Sequence, residues 1–587
     1  MALRRAVVLV LTLIGLAVLV SIGGLLFLYV VATRGPSVPE QAALVLRPGG
    51  ELLDRQPDDL LAPLLQRDAT SLAGLVESLR KAKRDPRITA VVLRPSPLAS
   101  PYWGKVQELR DALVDFRQSG KTVVAHLEYG GDREYYLATA ADQVYLLPAS
   151  PLDLTGVASY EIFLRGMLDR LGAQPDFLRI GEYKTAPNQL TERGFTRAHR
   201  EMAESLNRDL YEQLVGGIAE GRRKMMDEVR RLLDEGPFTP EAARQAGLVD
   251  GLAYVDQLDD RVAALRPASG RMRFVEGSEY QRVSPRAVGF RPGPRIAVLY
   301  ASGIITTGRS AYDPVNGPTV GSDTIVEQLA RIREDDSIRA IVLRVDSPGG
   351  SATASDVIWR ELMITRDARP SRPLVVSMSD LAASGGYYIA LPAHVIVAQP
   401  GTLTGSIGVF GGKIAVGAGL AKMGIATETV RSGRNADIGS PFVPFTPAQR
   451  AKLMGYMDDF YDSFVQKVAA SRGRTAGEID AVAQGRVWTG QQARQHGLVD
   501  VLGGLEEAVA VAKQRAGIPA DDDVELVVYP ARRTLYEMLA ERFGASGAAW
   551  AQLAGGLEAR AAAALAAPVR LFRRNEPLAL MPVVWMR

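Results

Sequence analysis

Ser384 lies in the run Asp380-Leu381-Ala382-Ala383-Ser384-Gly385-Gly386-Tyr387-Tyr388, after an apolar stretch of strand character at residues 374–377 and before a helical one. A serine between small residues at a strand-to-helix turn has an exposed hydroxyl and amides near the positive end of a helix, which suits a nucleophile. The same position also suits a plain helix N-cap. Upstream, Asp346-Ser347-Pro348-Gly349-Gly350-Ser351 places a Pro-Gly-Gly turn at a strand end, where unobstructed backbone N–H groups meet the needs of a developing oxyanion. A serine needs a base. The chain has no cysteine and only four histidines, His126, His199, His394 and His496, none of them in either motif. Thiol nucleophiles, disulfides, zinc fingers and iron–sulfur clusters are therefore excluded, and no metal or cofactor is expected. His394 follows Pro392-Ala393 at the mouth of a strand and reads as structural. Lysine is the remaining candidate.

An internal repeat says where to search for it. At a shift of about 250 residues, Ile88-Thr89-Ala90-Val91-Val92-Leu93-Arg94 answers Ile338-Arg339-Ala340-Ile341-Val342-Leu343-Arg344, and ARQAGLVD (243–250) answers ARQHGLVD (493–500) at seven of eight positions. Tyr135-Tyr136, Thr155-Gly156 and Phe195-Thr196 answer Tyr387-Tyr388, Thr404-Gly405 and Phe445-Thr446. In this register Lys184 of Gly181-Glu182-Tyr183-Lys184-Thr185-Ala186 faces Ala436, Ser384 faces Asp132, and the Gly349-Gly350 turn faces Leu98-Ala99. Each half keeps a different part of one site, the amine in the first and the hydroxyl with its glycines in the second. Lys184 alone reads as a solvated loop lysine; the repeat and the complementary losses reverse that reading in favour of the base. At an ordinary pKa of about 10.4 only a few amines in ten thousand are neutral at pH 7, so such a base needs a dry, apolar site that lowers its pKa by roughly 3 units. Arginine cannot replace it, because it does not deprotonate.

The elements that must position these groups alternate between short apolar strands and helical segments in each half, which predicts parallel α/β packing. Five segments follow: a cytoplasmic tip and anchor over 1–41, a first repeat over 42–266, a linker over 267–294, a second repeat over 295–519, and an Ala-rich extension of helical character over 520–587. Residues 6–33 hold no charge and are flanked by Arg4, Arg5 and Arg34. Such a run can cross a hydrocarbon core of about 30 Å and is longer than a signal-peptide apolar region, so an uncleaved single span is expected, with the N-terminus cytoplasmic and the rest outside. The final apolar stretch, 578–585, is too short to span and reads as packing on a neighbouring subunit or on its own domain. Sixty-nine basic against 66 acidic residues leave a net charge of +3, which argues against nucleic acid as a partner. Ser119-Gly120-Lys121-Thr122 ends like a phosphate-binding loop but has Asp115 where that loop requires glycine, so it is not one.

The chain resembles the signal peptide peptidase A family in its long, two-repeat, membrane-anchored form. The resemblance rests on Asp346-Ser347-Pro348-Gly349-Gly350, Ala383-Ser384-Gly385-Gly386-Tyr387, Leu403-Thr404-Gly405-Ser406-Ile407-Gly408 and Gly181-Glu182-Tyr183-Lys184-Thr185-Ala186, and it runs from the anchor to about residue 502. It implies tandem repeats of the crotonase and Clp-protease fold, with Ser384 as nucleophile and Lys184 as general base. It also implies that Ser406 holds the amine, and that the amides of Gly385 and of Gly349 or Gly350 form the oxyanion hole. A homo-oligomer, a tetramer in the long form, is implied too, acting on remnant signal peptides at the outer face of the cytoplasmic membrane. Asp346 departs from the Asn frequent in the family, and the extension from residue 535 has no family counterpart. Two other readings compete: a crotonase-type enzyme of acyl-thioesters, and a non-catalytic membrane-tethered scaffold.

Overall fold

The computed structural model describes residues 36–55, 70–265, 272–313, 317–531, 578–582 and 585–586, together with Gly15, Leu16, Leu19, Gly23 and Gly24. The expected anchor therefore lies almost wholly outside the described residues, as does the Ala-rich part of the extension. Among the described residues no helix is long and apolar enough to cross a membrane.

Runs such as Ile88–Leu93 and Ile338–Ser347 have an apolar centre and are buried at nearly every position, the pattern of strands covered on both faces, and both are central parallel strands. The first sheet has the order Gly251–Leu252, Gln143–Leu146, Thr122–Leu127, Ile88–Leu93, Ala42–Leu46, Arg273–Glu276. The second repeats that order with Val501–Leu502, Val395–Ala398, Leu374–Ala383, Ile338–Ser347, Arg295–Ser302, Glu525–Tyr529, and carries Leu403–Gly405 and Val487–Thr489 beyond the end of Leu374–Ala383. The duplication is thus visible in the topology itself.

The best-matched motif has a structural reason. Asp250 accepts from Val144 N and pairs with Arg222, and Asp500 accepts from Ile396 N and pairs with Arg472. Tyr135 and Tyr387 donate to the carbonyls of Leu248 and Leu498. Each carboxylate ties a strand to the C-terminal end of a 26-residue helix, Arg197–Arg222 or Pro447–Arg472, and each helix starts at a threonine cap, Thr196 or Thr446.

The structure moves two boundaries. Arg273–Glu276, inside the stretch read as a linker, pairs in parallel with Ala42–Leu46, and Glu525–Tyr529, inside the stretch read as an extension, pairs with Arg295–Ser302. Both are short edge strands beside residues rich in Pro, Gly and charge, so their periodicity is weak. The described end of the extension is a strand, Leu578–Leu580, rather than a helix.

A third sheet joins the halves: Gln174–Ile180, Val409–Ala415, Leu578–Leu580, Gly349–Ser351, Ile304–Thr306, Gly317–Gly321, Tyr312–Asp313. Its first pair is decisive for the site. Gln174–Ile180 of the first half runs antiparallel to Val409–Ala415 of the second through seven registered residue pairs, ending at Ile180↔Val409.

Candidate active site

That pairing delivers the lysine. Lys184 follows Ile180 by four residues, and Ser406 precedes Val409 by three, so the register brings their loops together. Close backbone packing completes the approach. Tyr183 N donates to Gln484 O at 2.8 Å, and a Cβ on Gly181 or on Gly485 would come within about 2.5 Å of Gln484 or Lys184 backbone atoms respectively. Both glycines have positive φ, +104° and +78°, so both the conformation and the contact demand glycine.

Lys184 Nζ lies 2.8 Å from Ser384 Oγ, 3.0 Å from Ser406 Oγ and 3.0 Å from the Ser406 carbonyl oxygen. All three residues are fully buried. No carboxylate accompanies the amine, and burial alone pushes its pKa well below the ordinary lysine value. The sequence asks for a dry site around this amine, and the amine lies in a fully buried one.

Ser384 ends the long strand Leu374–Ala383 and precedes a four-residue helix, Gly385–Tyr388. Its backbone, at φ +56° and ψ −113°, is in a region costly for a residue with a Cβ, and its side chain makes no helix-cap bond. The hydroxyl is thus turned to Lys184 instead of the helix, which disposes of the plain N-cap reading. Ser384 N donates to Gly405 O at 2.8 Å, and Ser406, also at positive φ, donates its N–H to Arg486 O at 2.7 Å, so both serine backbones are pinned.

The glycine turn is resolved into two roles. Gly349 N donates to Ser347 Oγ at 3.2 Å. Gly350 N lies 3.2 Å from the point where a Cβ on Gly385 would stand, so the Gly350 and Gly385 backbones face one small volume beside Ser384. Glycine is required there because a Cβ on Gly350 would sit 2.1 Å from Ile305 O.

Residues that sequence reasoning did not single out hold the lysine loop from behind. Arg179 donates to Asn188 Oδ1 at 2.6 Å and to the Lys184 carbonyl at 3.4 Å; Asn188 Nδ2 lies 3.4 Å from His199 Nδ1; His199 Nε2 lies 2.9 Å from Glu161 Oε1. In the sequence Thr196 stands only as a match to Thr446 in the repeat and His199 only as one of four histidines.

A buried ionic cluster between the halves explains the Asp346 departure. Lys105, from the first half, lies 2.6 Å from Asp346 and 3.1 Å from Asp380, the residues that open the two second-half motifs. Arg344 beside them pairs with Asp54 and Glu108 of the first half at 2.7 and 2.8 Å. Burial pulls the Lys105 ammonium down, but the two carboxylates outweigh it and hold it above the lysine range. An Asn at 346 would leave Lys105 one carboxylate.

The model of peptidase family S49 matches residues 115–268 and 366–519. A chloroplastic serine protease SPPA of Arabidopsis thaliana is 34% identical over 464 residues, covering 78% of this chain and 67% of that protein. Protease 4 of Salmonella typhi is 35% identical over 457 residues, covering 76% and 72%. Among solved structures, a serine-to-alanine mutant of the 1510-N membrane-bound stomatin-specific protease overlays on 40% of this chain and 98% of its own, with 20% identity and a TM-score of 0.25.

Proposed function

The chain belongs to peptidase family S49 and is a serine peptidase, and from that premise we propose that Ser384 and Lys184 are its catalytic dyad, one group from each repeat. The observation that carries this reading is the 2.8 Å contact between Lys184 Nζ and Ser384 Oγ in a fully buried site with no carboxylate beside the amine.

The neutral amine takes the Ser384 proton as Oγ attacks the peptide carbonyl carbon. The amides of Gly350 and Gly385 hold the oxyanion, each such donor contributing about 2.7 to 4 kcal/mol. Gly349 is left to shape the turn, since its own N–H is taken by Ser347. The ammonium then protonates the leaving amine, and water, deprotonated by the same lysine, hydrolyses the Ser384 ester. Ser406 holds Nζ through its hydroxyl and carbonyl so that the amine's lone pair stays aimed at Ser384.

The substrates proposed are short apolar peptides, above all cleaved signal peptides, and the place proposed is the outer face of the cytoplasmic membrane. The uncharged run at 6–33, followed by the whole catalytic region, supports a single anchor that confines the enzyme where such peptides are released. Homo-oligomerisation, with a tetramer as the proposed form, is supported by exposed Met167, Leu171, Met423 and Ile425 on two segments in contact, where Gly172 packs against the Gly419 backbone.

The test is hydrolysis of an apolar reporter peptide by Ser384→Ala and Lys184→Ala variants that keep the wild-type melting profile. Each change alone is expected to reduce kcat by at least about a thousandfold. Full activity in either variant overturns the dyad, and failure of a fluorophosphonate probe to label Ser384 in the wild-type chain would favour a scaffold.

A further inference from the structure

No charged partner holds the Lys184 amine over Ser384, so its place depends on Ser406 and on the loop that carries it. That loop is braced across its base. Arg179, on the strand before it, donates from one guanidinium nitrogen to Asn188 Oδ1 at 2.6 Å and to the Lys184 carbonyl oxygen at 3.4 Å. Asn188 opens the short helix after it, Asn188–Thr191, and donates its own N–H to Thr185 O at 2.9 Å. The brace continues into the core. His199 Nδ1 lies 3.4 Å from Asn188 Nδ2, and the two Glu161 carboxylate oxygens lie 2.9 and 2.8 Å from His199 Nε2. His199 and Asn188 are fully buried, the Glu161 side chain is 2% exposed, and Glu161 Oε2 makes no hydrogen bond elsewhere. Phe195 and Phe163 stand edge-on to the imidazole, with ring centres 4.9 and 6.0 Å away.

The two ends of this chain of side chains fix its direction. A guanidinium only donates and an ionised carboxylate only accepts. Arg179 therefore takes Asn188 Oδ1, which turns the Asn188 amino group to His199 and to Thr196 Oγ1, the latter at 3.5 Å. Nδ1 of the imidazole then accepts, and the ring proton sits on Nε2, where Glu161 receives it. Any other arrangement sets two donors or two acceptors against each other in a buried place, which costs stability. The second repeat lacks the device. Gln449 stands at the place of His199, three residues after the matched Thr446; its side-chain oxygen accepts from Thr446 N at 3.0 Å and its amino group donates to Asp437 at 2.9 Å, so it serves its own helix start. The imidazole occurs in the copy that carries the lysine.

We propose that His199 and Glu161 are positioning residues for the reaction: through Asn188 and Arg179 they hold the Lys184 main chain, and with it the amine, within reach of Ser384. The proposal rests on the Ser384–Lys184 reading of the site. None of the four side chains touches a reacting atom; they act on where the amine stands and on how well water is kept from it. Geometry of this kind is steep in its effect, since a displacement of about 1 Å between reacting groups can cost about a hundredfold in rate. A polar chain with only one satisfied direction suits the task, because it leaves the loop a single arrangement.

The experiment measures hydrolysis of the apolar reporter peptide by the full chain, in detergent, for the wild type, His199→Ala, His199→Asn and Asn188→Ala. His199→Ala is expected to lower kcat by about tenfold to a hundredfold while KM stays within about twofold, because no contact with substrate is removed. His199→Asn, whose side-chain oxygen can accept from Asn188, should recover most of that loss. Asn188→Ala breaks the brace at its next link; it should match His199→Ala, and it guards against a His199→Ala chain that does not fold. The rising limb of kcat/KM against pH supplies a readout that a purely structural role would not move. A loosened loop admits water to the amine and returns its pKa towards the ordinary lysine range, so the midpoint of that limb should shift to higher pH in His199→Ala and Asn188→Ala. An unchanged kcat in both variants, or a kcat loss with the midpoint unmoved, overturns the proposal. Ser384→Ala and Lys184→Ala run beside them separate the two readings: full activity in either defeats the dyad, whereas their inactivity together with wild-type behaviour of His199→Ala and Asn188→Ala defeats the brace alone.

Discussion

The Leu98 backbone N–H donates to Glu134 Oε1 at 2.7 Å, and these two residues occupy in the first repeat the places of Gly349 and Gly386 in the second. Beside them Asp132, at the place of Ser384, accepts from Thr155 N and Gly156 N at 3.1 and 2.9 Å. The first half thus keeps the anion-seeking amides of the ancestral turn and satisfies them with its own carboxylates. In the second half a serine and a glycine stand where those carboxylates would be, and the Gly349 N–H turns to Ser347 Oγ instead. One backbone plan is a filled structural socket in one copy and the proposed reaction site in the other.

Emptying the socket should therefore cost stability and not chemistry. Glu134→Ala leaves a buried Leu98 N–H without its acceptor, and the expected loss is about 1 to 3 kcal/mol in denaturant unfolding. The kcat for an apolar reporter peptide should stay within about twofold. Glu134→Gln, which keeps an acceptor, should recover most of the stability. A kcat loss that follows the stability loss in both variants would place Glu134 in the reaction itself.

The buried amine of Lys184 makes both activity and stability depend on pH, in calculable directions. Its pKa is lowered in the folded chain, so the folded state binds this proton more weakly than the unfolded state does. The stability cost is absent above the unfolded value of about 10.4, grows as pH falls below it, and levels off once pH passes below the folded value. Lys184→Met removes that cost, so its stability advantage over the wild type should widen as pH is lowered from 10 and level off once pH passes below the folded value. Wild-type kcat/KM should rise with pH along a limb whose midpoint lies well below 10. An advantage of Lys184→Met that is flat with pH would mean the amine is charged in the folded chain.

Lys105→Met strands Asp346 and Asp380 in the interior without a cation. Loss of one partner of a buried ionic cluster costs about 3 to 5 kcal/mol, and guanidinium unfolding at pH 8 should show a loss of that size. Burial already pushes the Asp346 carboxyl up to about 6, with Lys105 opposing. A carboxyl raised in the folded state contributes stability at low pH that is lost as pH rises through its folded value. Without Lys105 the rise is larger, so the variant's deficit should shrink towards pH 5. A deficit equal at pH 5 and pH 8 would mean the carboxylates find another cation.

Composition and periodicity were enough to reveal the duplication, the parallel α/β plan and the split of the serine and lysine between the halves. Buried strands are largely apolar, turns at reacting centres must be small, and two copies of one plan can be compared position by position in the chain. The edge strands Arg273–Glu276 and Glu525–Tyr529 escaped because short, half-covered strands carry little periodicity. The fate of the tail escaped for another reason: Leu578–Leu580 could have packed anywhere as an apolar triplet, and only its pairing with Gly349–Ser351 and Val409–Ala415 assigns it a place. Likewise the run around Lys184 names an amine, but its lowered pKa comes from burial against Ser384 and Ser406, 200 and 222 residues away in the chain. What a residue is made of is written locally; what surrounds it is decided by register between distant strands, and a pKa depends on the surroundings.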